Sequence, residues 1–167
     1  EATLLMGSFN FDMTHKNFYA PLIQGGTLHL LPPGPYDPDL IAGLIARERI
    51  ALVNCTPSAF YPLLDRNGGA AGWADLTSLR WVALGGEPTT LARVAPWLRS
   101  EACRATLANT YGPTEASDIS AFHVVTREDL ARDVTAPTGR PIPNAALLIA
   151  DESLQPCPPG VAGELCI

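Results

Sequence analysis

The sequence predicts an α/β protein: a helix-flanked, largely parallel sheet, followed by the start of a smaller β unit at the C-terminal end. Three observations predict it. Short apolar runs alternate with helix-length amphipathic runs as far as Val125, the pattern of parallel strands joined by crossover helices. Those runs stop at polar, Gly/Pro-rich turns such as Gly85-Gly86-Glu87-Pro88 and Gly112-Pro113. A chain of 167 residues that is 47% hydrophobic and 17% charged is large and apolar enough for one well-cored domain.

Ser8 to Asp12 alternates polar and aromatic residues, as a strand end or entry loop does, and Met13 to Gln24 places Phe18, Leu22 and Ile23 at helical spacing. Gly25-Gly26 closes that helix. Thr27 to Leu31 is a short strand, stopped by Pro32-Pro33-Gly34-Pro35. Asp37-Pro38-Asp39 opens a helix with the stripe Leu40, Ile41, Leu44 and Ile45, its end solvated by Arg47, Glu48 and Arg49. Ala51 to Cys55 is a buried strand; after Thr56-Pro57-Ser58 comes a helix carrying Phe60, Leu63 and Leu64. Asn67 to Gly72 reads as a flexible loop without function.

Leu79 to Leu84 is the next strand, ending at Gly85-Gly86, and Thr89-Thr90 start a helix through Leu91 and Val94 that Pro96 kinks or ends before Trp97. Ala105 to Ala108 is a short strand leading into a tight polar turn. Ile119 to Val125 alternates as a strand, Glu128 to Arg132 is a short helix, and Thr138 to Asn144 is a turn-rich link. Ala145 to Ala150 and Gly163 to Ile167 are strands of the smaller β unit, joined by the Pro-rich loop Asp151 to Gly160. The expected division is 1–135 for the α/β core and 136–167 for the linker and the start of the β unit.

Composition narrows the function classes. A net charge of −6 and a pI near 4.9 oppose nonspecific attraction to nucleic acid or an anionic membrane, so neither is expected as a partner. No apolar run is long enough to span a bilayer and the first residues lack the basic flank of a signal peptide, so the expected location is cytoplasmic. Cys55, Cys103, Cys157 and Cys166 form no C-x-x-C pair and no histidine cluster completes a metal set; they read as reduced, mostly buried thiols. His15, His29 and His123 are scattered, as surface or strand-end histidines are.

The turn after Ala108 concentrates chemistry. Asn109-Thr110-Tyr111-Gly112-Pro113-Thr114-Glu115 delivers an amide, a flat aromatic, a hydroxyl and a carboxylate where ligands gather, outside the carboxyl end of a strand. Tyr111 can stack on a purine, Asn109 and the Thr110 backbone can bond a base edge, Thr114 can bond a phosphate, and Glu115 can hold Mg²⁺. The same residues also fit a plain strand-to-helix turn, stiffened by Pro113 and capped by Thr114, with Glu115 favouring a helix N-terminus.

Asn109 to Glu115 resembles the nucleotide-binding core motif of the adenylation domains of nonribosomal peptide synthetases, members of the adenylate-forming superfamily that includes acyl-CoA ligases. Ser8-Phe9-Asn10-Phe11-Asp12, Leu84-Gly85-Gly86-Glu87-Pro88 and Gly160 to Ile167 resemble further motifs of that family, in the same order. The resemblance covers the whole chain but only a middle portion of the family's domain. It implies the large N-terminal subdomain of such an enzyme, with ATP, Mg²⁺ and a phosphopantetheine on a partner carrier domain as cofactors. The implied partners are an amino acid substrate and the peptidyl carrier and condensation domains of one synthetase.

By the same resemblance Gly85, Gly86, Glu87, Asn109, Thr110, Tyr111, Gly112 and Thr114 bind the nucleotide, Tyr111 and Gly85 flanking the adenine. Glu115 holds the metal and, with Thr114, serves the chemical step. Asp12 takes the substrate's α-amino group, against the simpler role of a helix cap. The specificity pocket transferred by position is Asp12, Met13, Lys16, Asn54, Val82, Leu84, Thr110, Asp118 and Ile119.

Lys16 is the sole lysine beside ten arginines and lies one helical turn after Asp12, so both sit on one face; a solvated lysine or an Asp12 partner is the plainer reading. Lys16, Asn54, Thr110 and Asp118 make the pocket polar, so a polar substrate side chain is expected. A Gln- or Glu-like one meets a free Lys16; a Lys16–Asp118 pair instead leaves room for a small hydroxylated or neutral one. The sequence has no Gly- and Ser/Thr-rich loop ending in Lys to cradle pyrophosphate, so this chain alone is expected to be inactive. Its ends read as those of a fragment whose cut edges favour poor solubility or dimerisation. An acyl- or aryl-acid ligase, which does not need Asp12, and a non-catalytic module of the same fold are the alternatives.

Overall fold

A computed structural model describes residues 1–66, 70–132 and 134–167. Seven strands form one sheet: β1 (Ala2–Leu5), β2 (Thr27–Leu30), β3 (Leu52–Cys55), β4 (Trp81–Gly85), β5 (Thr106–Tyr111), β6 (Ala121–Val124) and β7 (Arg140–Pro141). Their order across the sheet is β2-β1-β3-β4-β5-β6-β7. The first five run parallel, and β6 and β7 add antiparallel pairings at one edge. A separate two-stranded antiparallel sheet pairs β8 (Leu148–Ala150) with β9 (Glu164–Cys166). The helices are α1 (Met13–Ile23), α2 (Pro38–Arg47), α3 (Pro57–Asp65) and α4 (Leu91–Leu98). This is the predicted fold class.

Local chemistry starts the helices. Asp37 caps α2 by accepting from the Asp39 and Leu40 N–H groups, and Thr56 caps α3 through the Ala59 N–H. Both helices carry Pro at their first position, where the missing N–H costs nothing. Their apolar stripes, Ile41, Leu44 and Ile45 with Phe60, Leu63 and Leu64, close a core with Val53, Val82, Leu84 and Leu107 of the sheet and Leu91, Val94 and Trp97 of α4. Phe60 and Trp97 meet edge-on, centroids 5.4 Å apart. On the other sheet face α1 packs through Asn17, which donates to the Asn54 carbonyl at 3.2 Å.

Several elements depart from the sequence reading. β1 was not singled out there as a strand. In α1 the buried residues are Thr14, Asn17 and Pro21, while Leu22 and Ile23 are exposed, because the face that meets the sheet is the one carrying Asn17. α4 runs through Pro96 to Leu98: one backbone hydrogen bond is lost, but Val94, Ala95 and Trp97 are buried on its far side and hold it. β5 continues to Tyr111 instead of ending at Ala108, since Asn109, Thr110 and Tyr111 pair with His123, Phe122 and Ala121.

The short helix near residue 130 is a 3-10 turn, Asp129–Ala131, and β7 lies inside the stretch read as a link. Of the loop read at Asn67 to Gly72, residues 67–69 lie outside the described residues, and Gly72 belongs to a 3-10 helix, Ala70–Leu76. All four cysteines are free, and only Cys55 is buried; the other three are partly exposed. Among the described residues no helix is long and apolar enough to cross a membrane.

Candidate functional site

The carboxyl ends of β1, β3, β4 and β5 open into a cavity of 530 Å³. Sequence-predicted residues Asp12, Met13, Gly85, Gly86, Glu87, Thr110, Gly112, Thr114 and Asp118 line it. Met6, Gly7, Ser8, Phe11, Cys55, Thr56 and Pro113 join them without having been predicted. The signal for these was available: each lies just beyond or beside a strand's carboxyl end, where an α/β sheet gathers its ligands. Tyr111, Asn109 and Thr138 line an adjoining cavity of 430 Å³ that shares Gly86, Glu87, Thr110, Gly112 and Pro113 with the first.

Asp12 is both a cap and a candidate ligand. Its Oδ1 accepts from the Met13 N–H at 2.7 Å, which leaves the second carboxylate oxygen for another donor. The Thr114 hydroxyl holds its carboxyl below the usual range, against partial burial, with the Met13 N–H and the charges of Lys16 and His15 helping. Asp12 is therefore an anion at neutral pH, placed on a cavity wall. Such a group is suited to an ammonium.

Gly85 and Gly86 form the floor. A Cβ on Gly85 would overlap Thr110 Oγ1, and Gly86 takes φ +80°, so both positions favour glycine on physical grounds. Met13 lies across this floor, its Cε 3.6 Å and 3.5 Å from where side chains on Gly85 and Gly86 would begin. Thr110 Oγ1 donates to the Leu84 carbonyl at 3.1 Å. Glu87 braces the wall, accepting from the Ser58 N–H at 3.0 Å and the Ser58 hydroxyl at 2.7 Å. Burial first, and the Glu87 charge second, push the Cys55 thiol up to about 12, so it lines the cavity as an inert thiol.

Other predicted residues fall elsewhere. Val82 and Leu84 are fully buried in the core under α2, α3 and α4. Strand pairing gives the reason: Asn54 is level with Ala83 and Thr110 with Gly85, so β4 presents Ala83 and Gly85, not Val82 and Leu84, to the face that carries Asn54 and Thr110. Asn109 is 7% exposed; its Oδ1 accepts from the Thr89 hydroxyl at 2.8 Å and its Nδ2 donates to the Pro137 carbonyl at 2.9 Å. Its amide thus ties β5 to the turn before α4 and to the segment after Thr135. Ile119 faces a different hollow, with Glu115, Ser117 and Ile142.

Lys16 and Asn54 sit behind the cavity wall. Lys16 Nζ donates to Asp118 Oδ2 at 2.5 Å. Asn54 Nδ2 donates to the Met13 carbonyl at 3.3 Å and to Asn17 Oδ1 at 3.0 Å, while Asn54 Oδ1 is buried without a partner among the described residues. Glu115 stands in a 3-10 turn, Thr114–Ala116, exposed, with no hydrogen bond or ion pair to the described residues. Among those residues no group of three His, Cys, Asp or Glu could hold a metal by itself. An unengaged carboxylate beside a hydroxyl fits Mg²⁺, which commonly takes one or two protein oxygens and completes its shell with water and phosphate.

The family profile described as AMP-binding enzyme matches residues 1–167. The chain belongs to the AMP-binding enzyme family. The dimodular nonribosomal peptide synthase of Bacillus subtilis is 34% identical over 162 residues, covering 96% of this chain and 7% of that protein. Surfactin synthase subunit 2 of the same organism is 37% identical over 172 residues, covering all of this chain and 5% of that one. The chain thus spans a small fraction of these relatives. Among solved structures, PA1221, an NRPS protein containing adenylation and PCP domains, matches with TM-score 0.85 and 32% identity over 98% of this chain and 32% of its own. The N-terminal subdomain of Klebsiella oxytoca NpsA matches in fold, with TM-score 0.82 at 23% identity over 99% of this chain and 41% of its own. In this AMP-binding family member the two adjoining cavities meet at Gly86, Glu87 and the Thr110 end of β5, while Gly85 belongs to the first alone.

Proposed function

We propose that this chain carries the amino acid pocket and the adenine platform of an enzyme that joins an α-amino acid to AMP. The observation that carries the reading is Asp12: an ionised carboxylate in the same cavity as Gly85, Thr110 and Thr114. A family member acting on acids without an amine has no use for an anion there.

In this reading Asp12 binds the substrate ammonium, and Gly85, Gly86 and Tyr111 frame the adenine, with Glu87, Thr110 and Gly112 completing the platform. Asn109 holds that platform in place. Thr114 contacts the α-phosphate and Glu115 holds Mg²⁺, which neutralises phosphate charge when bound. An oxygen of the amino acid carboxylate attacks the α-phosphorus of ATP; the new O–P bond forms as the bond to pyrophosphate breaks, and pyrophosphate leaves. A carrier-protein phosphopantetheine thiol then attacks the acyl carbon and AMP departs. The residues position and neutralise; no protein nucleophile is required. Condensation and carrier domains of one cytoplasmic synthetase are the proposed partners.

Met13 and Asp118 line the substrate side of the cavity, with Lys16 and Asn54 behind them. The Gln- or Glu-like substrate weighed from sequence needs a Lys16 able to meet it, and Lys16 is bonded to Asp118 instead. The test is ATP–pyrophosphate exchange on the intact parent domain across the proteinogenic amino acids and their des-amino analogues. Amino-acid-dependent exchange that Asp12→Asn weakens through the amino acid KM more than through the ATP KM is expected. Exchange with des-amino acids alone would return Asp12 to a helix cap and favour an acyl ligase; no exchange at all would favour a non-catalytic module.

A further inference from the structure

Resting on that reading of the site, we infer that the side-chain end of the pocket is closed by the Lys16–Asp118 ion pair and the Met13 side chain, and therefore admits only short, uncharged side chains.

Lys16 and Asp118 stand 102 residues apart in the chain, yet Nζ and Oδ2 meet at 2.5 Å. Their side chains are 27% and 21% exposed, so the pair is largely withdrawn from water. The backbone is bent to make it. Ser117 and Asp118 take φ +64° and +75°, a left-handed pair of non-glycine residues that is costly unless its surroundings enforce it. They are enforced: the Ser117 N–H bonds the Thr114 carbonyl at 3.1 Å, the Ser120 N–H bonds the Tyr111 carbonyl at 2.8 Å, and the lysine takes the Asp118 carboxylate.

Charge follows from this arrangement. Asp118 lines the cavity and Lys16 does not, so the lysine's charge reaches the cavity only through its partner. Lys16 and Asp118 cancel, so the pair itself offers no net charge to a charged substrate side chain. A carboxylate side chain would compete with Asp118 for Lys16 and face Asp118 itself; a cationic one would have to displace Lys16. Either leaves one charge unpaired in a half-buried site, the costly outcome.

Length follows from Met13. Its methyl lies over Gly85 and Gly86, and Met13 and Asp118 line the cavity whereas Asn54, Lys16 and Ile119 do not. Thr110 is held by its bond to the Leu84 carbonyl and does not open a way past them. Alanine, serine, threonine and cysteine are the side chains of the right size and charge.

The experiment is the exchange assay on the intact parent domain, read as kcat/KM for each amino acid. Wild type should peak with one of those four. Asp118→Ala should raise the Glu-to-Ser ratio of kcat/KM at least tenfold by freeing Lys16. Lys16→Met should raise the Lys-to-Ser ratio similarly, and the inverted pair, Lys16→Asp with Asp118→Lys, should restore the wild-type preference. A wild-type optimum for Glu, Gln, Asp, Lys, Leu or Phe overturns the inference and leaves the adenylation reading standing, whether or not any variant folds. Exchange confined to des-amino acids overturns both. Ratios unmoved in variants that melt like wild type also overturn it.

Discussion

Gly85→Ala tests whether the floor of the site is as tight as the structure makes it. The added methyl would overlap Thr110 Oγ1, approach the Thr110 carbonyl oxygen at 3.1 Å and reach Met13 Cε at 3.6 Å. Relief requires Thr110 to rotate, and rotation breaks its hydrogen bond to the Leu84 carbonyl. Overpacking costs about 1–3 kcal/mol. The lost hydrogen bond adds about 0.5–1.5 kcal/mol. A less flexible unfolded chain returns about 0.4–1 kcal/mol. The net is a destabilisation of about 0.5–4 kcal/mol. Urea unfolding of the intact domain measures it, and Thr110→Ala completes a cycle: with the hydroxyl gone, Gly85→Ala should cost less, by roughly 0.5 kcal/mol or more. A wild-type unfolding midpoint for Gly85→Ala, or zero coupling to Thr110, would refute the assignment of Gly85 and Thr110 to one crowded wall.

Leu84→Ala, one residue earlier, should destabilise by about 2–5 kcal/mol because the side chain is fully buried beneath the helices. Its amino acid preference in pyrophosphate exchange should stay that of wild type, and an altered ranking of substrates would put Leu84 back in the pocket. Glu115→Ala should leave stability within about 0.5 kcal/mol, since the exposed carboxylate has no partner among the described residues. Its exchange rate should fall on the order of tenfold or more; equal losses of rate and stability would make Glu115 a structural residue. Asp129 bonds His123 at 2.7 Å and the Thr126 N–H and hydroxyl at 2.8 Å, and these hold its carboxyl near 2 instead of 3.8. A carboxyl lowered by folding contributes stability above its unfolded pKa and loses it as pH falls from 3.8 through about 2. Asp129→Asn should therefore melt lower at neutral pH and show a shallower decline over that acid window; parallel melting curves for variant and wild type would exclude this network.

The sequence by itself determined what depends on neighbours in the chain. Hydrophobic period located all four helices and four of the five parallel strands, the Asp37-Pro38 and Thr56-Pro57 pairs marked their helix starts, and the strand-helix alternation implied parallel pairing. The run from Asn109 to Glu115 marked the site, because a strand that ends in a turn rich in amide, hydroxyl and carboxylate groups places them where an α/β sheet binds ligands. What the sequence could not supply were relations between distant segments. Which face of β4 meets the cavity is a matter of register with β3 and β5, and one residue of offset sends Leu84 to the core and Gly85 to the floor. β5 runs on to Tyr111 because β6 offers it partners. α4 crosses Pro96 because burial of Trp97 outweighs one missing hydrogen bond. Lys16 and Asp118 each read as a polar pocket residue open to either reading. Only the tertiary structure decided that they face each other, because the folded sheet and the left-handed turn at Ser117 and Asp118 bring together charges 102 residues apart.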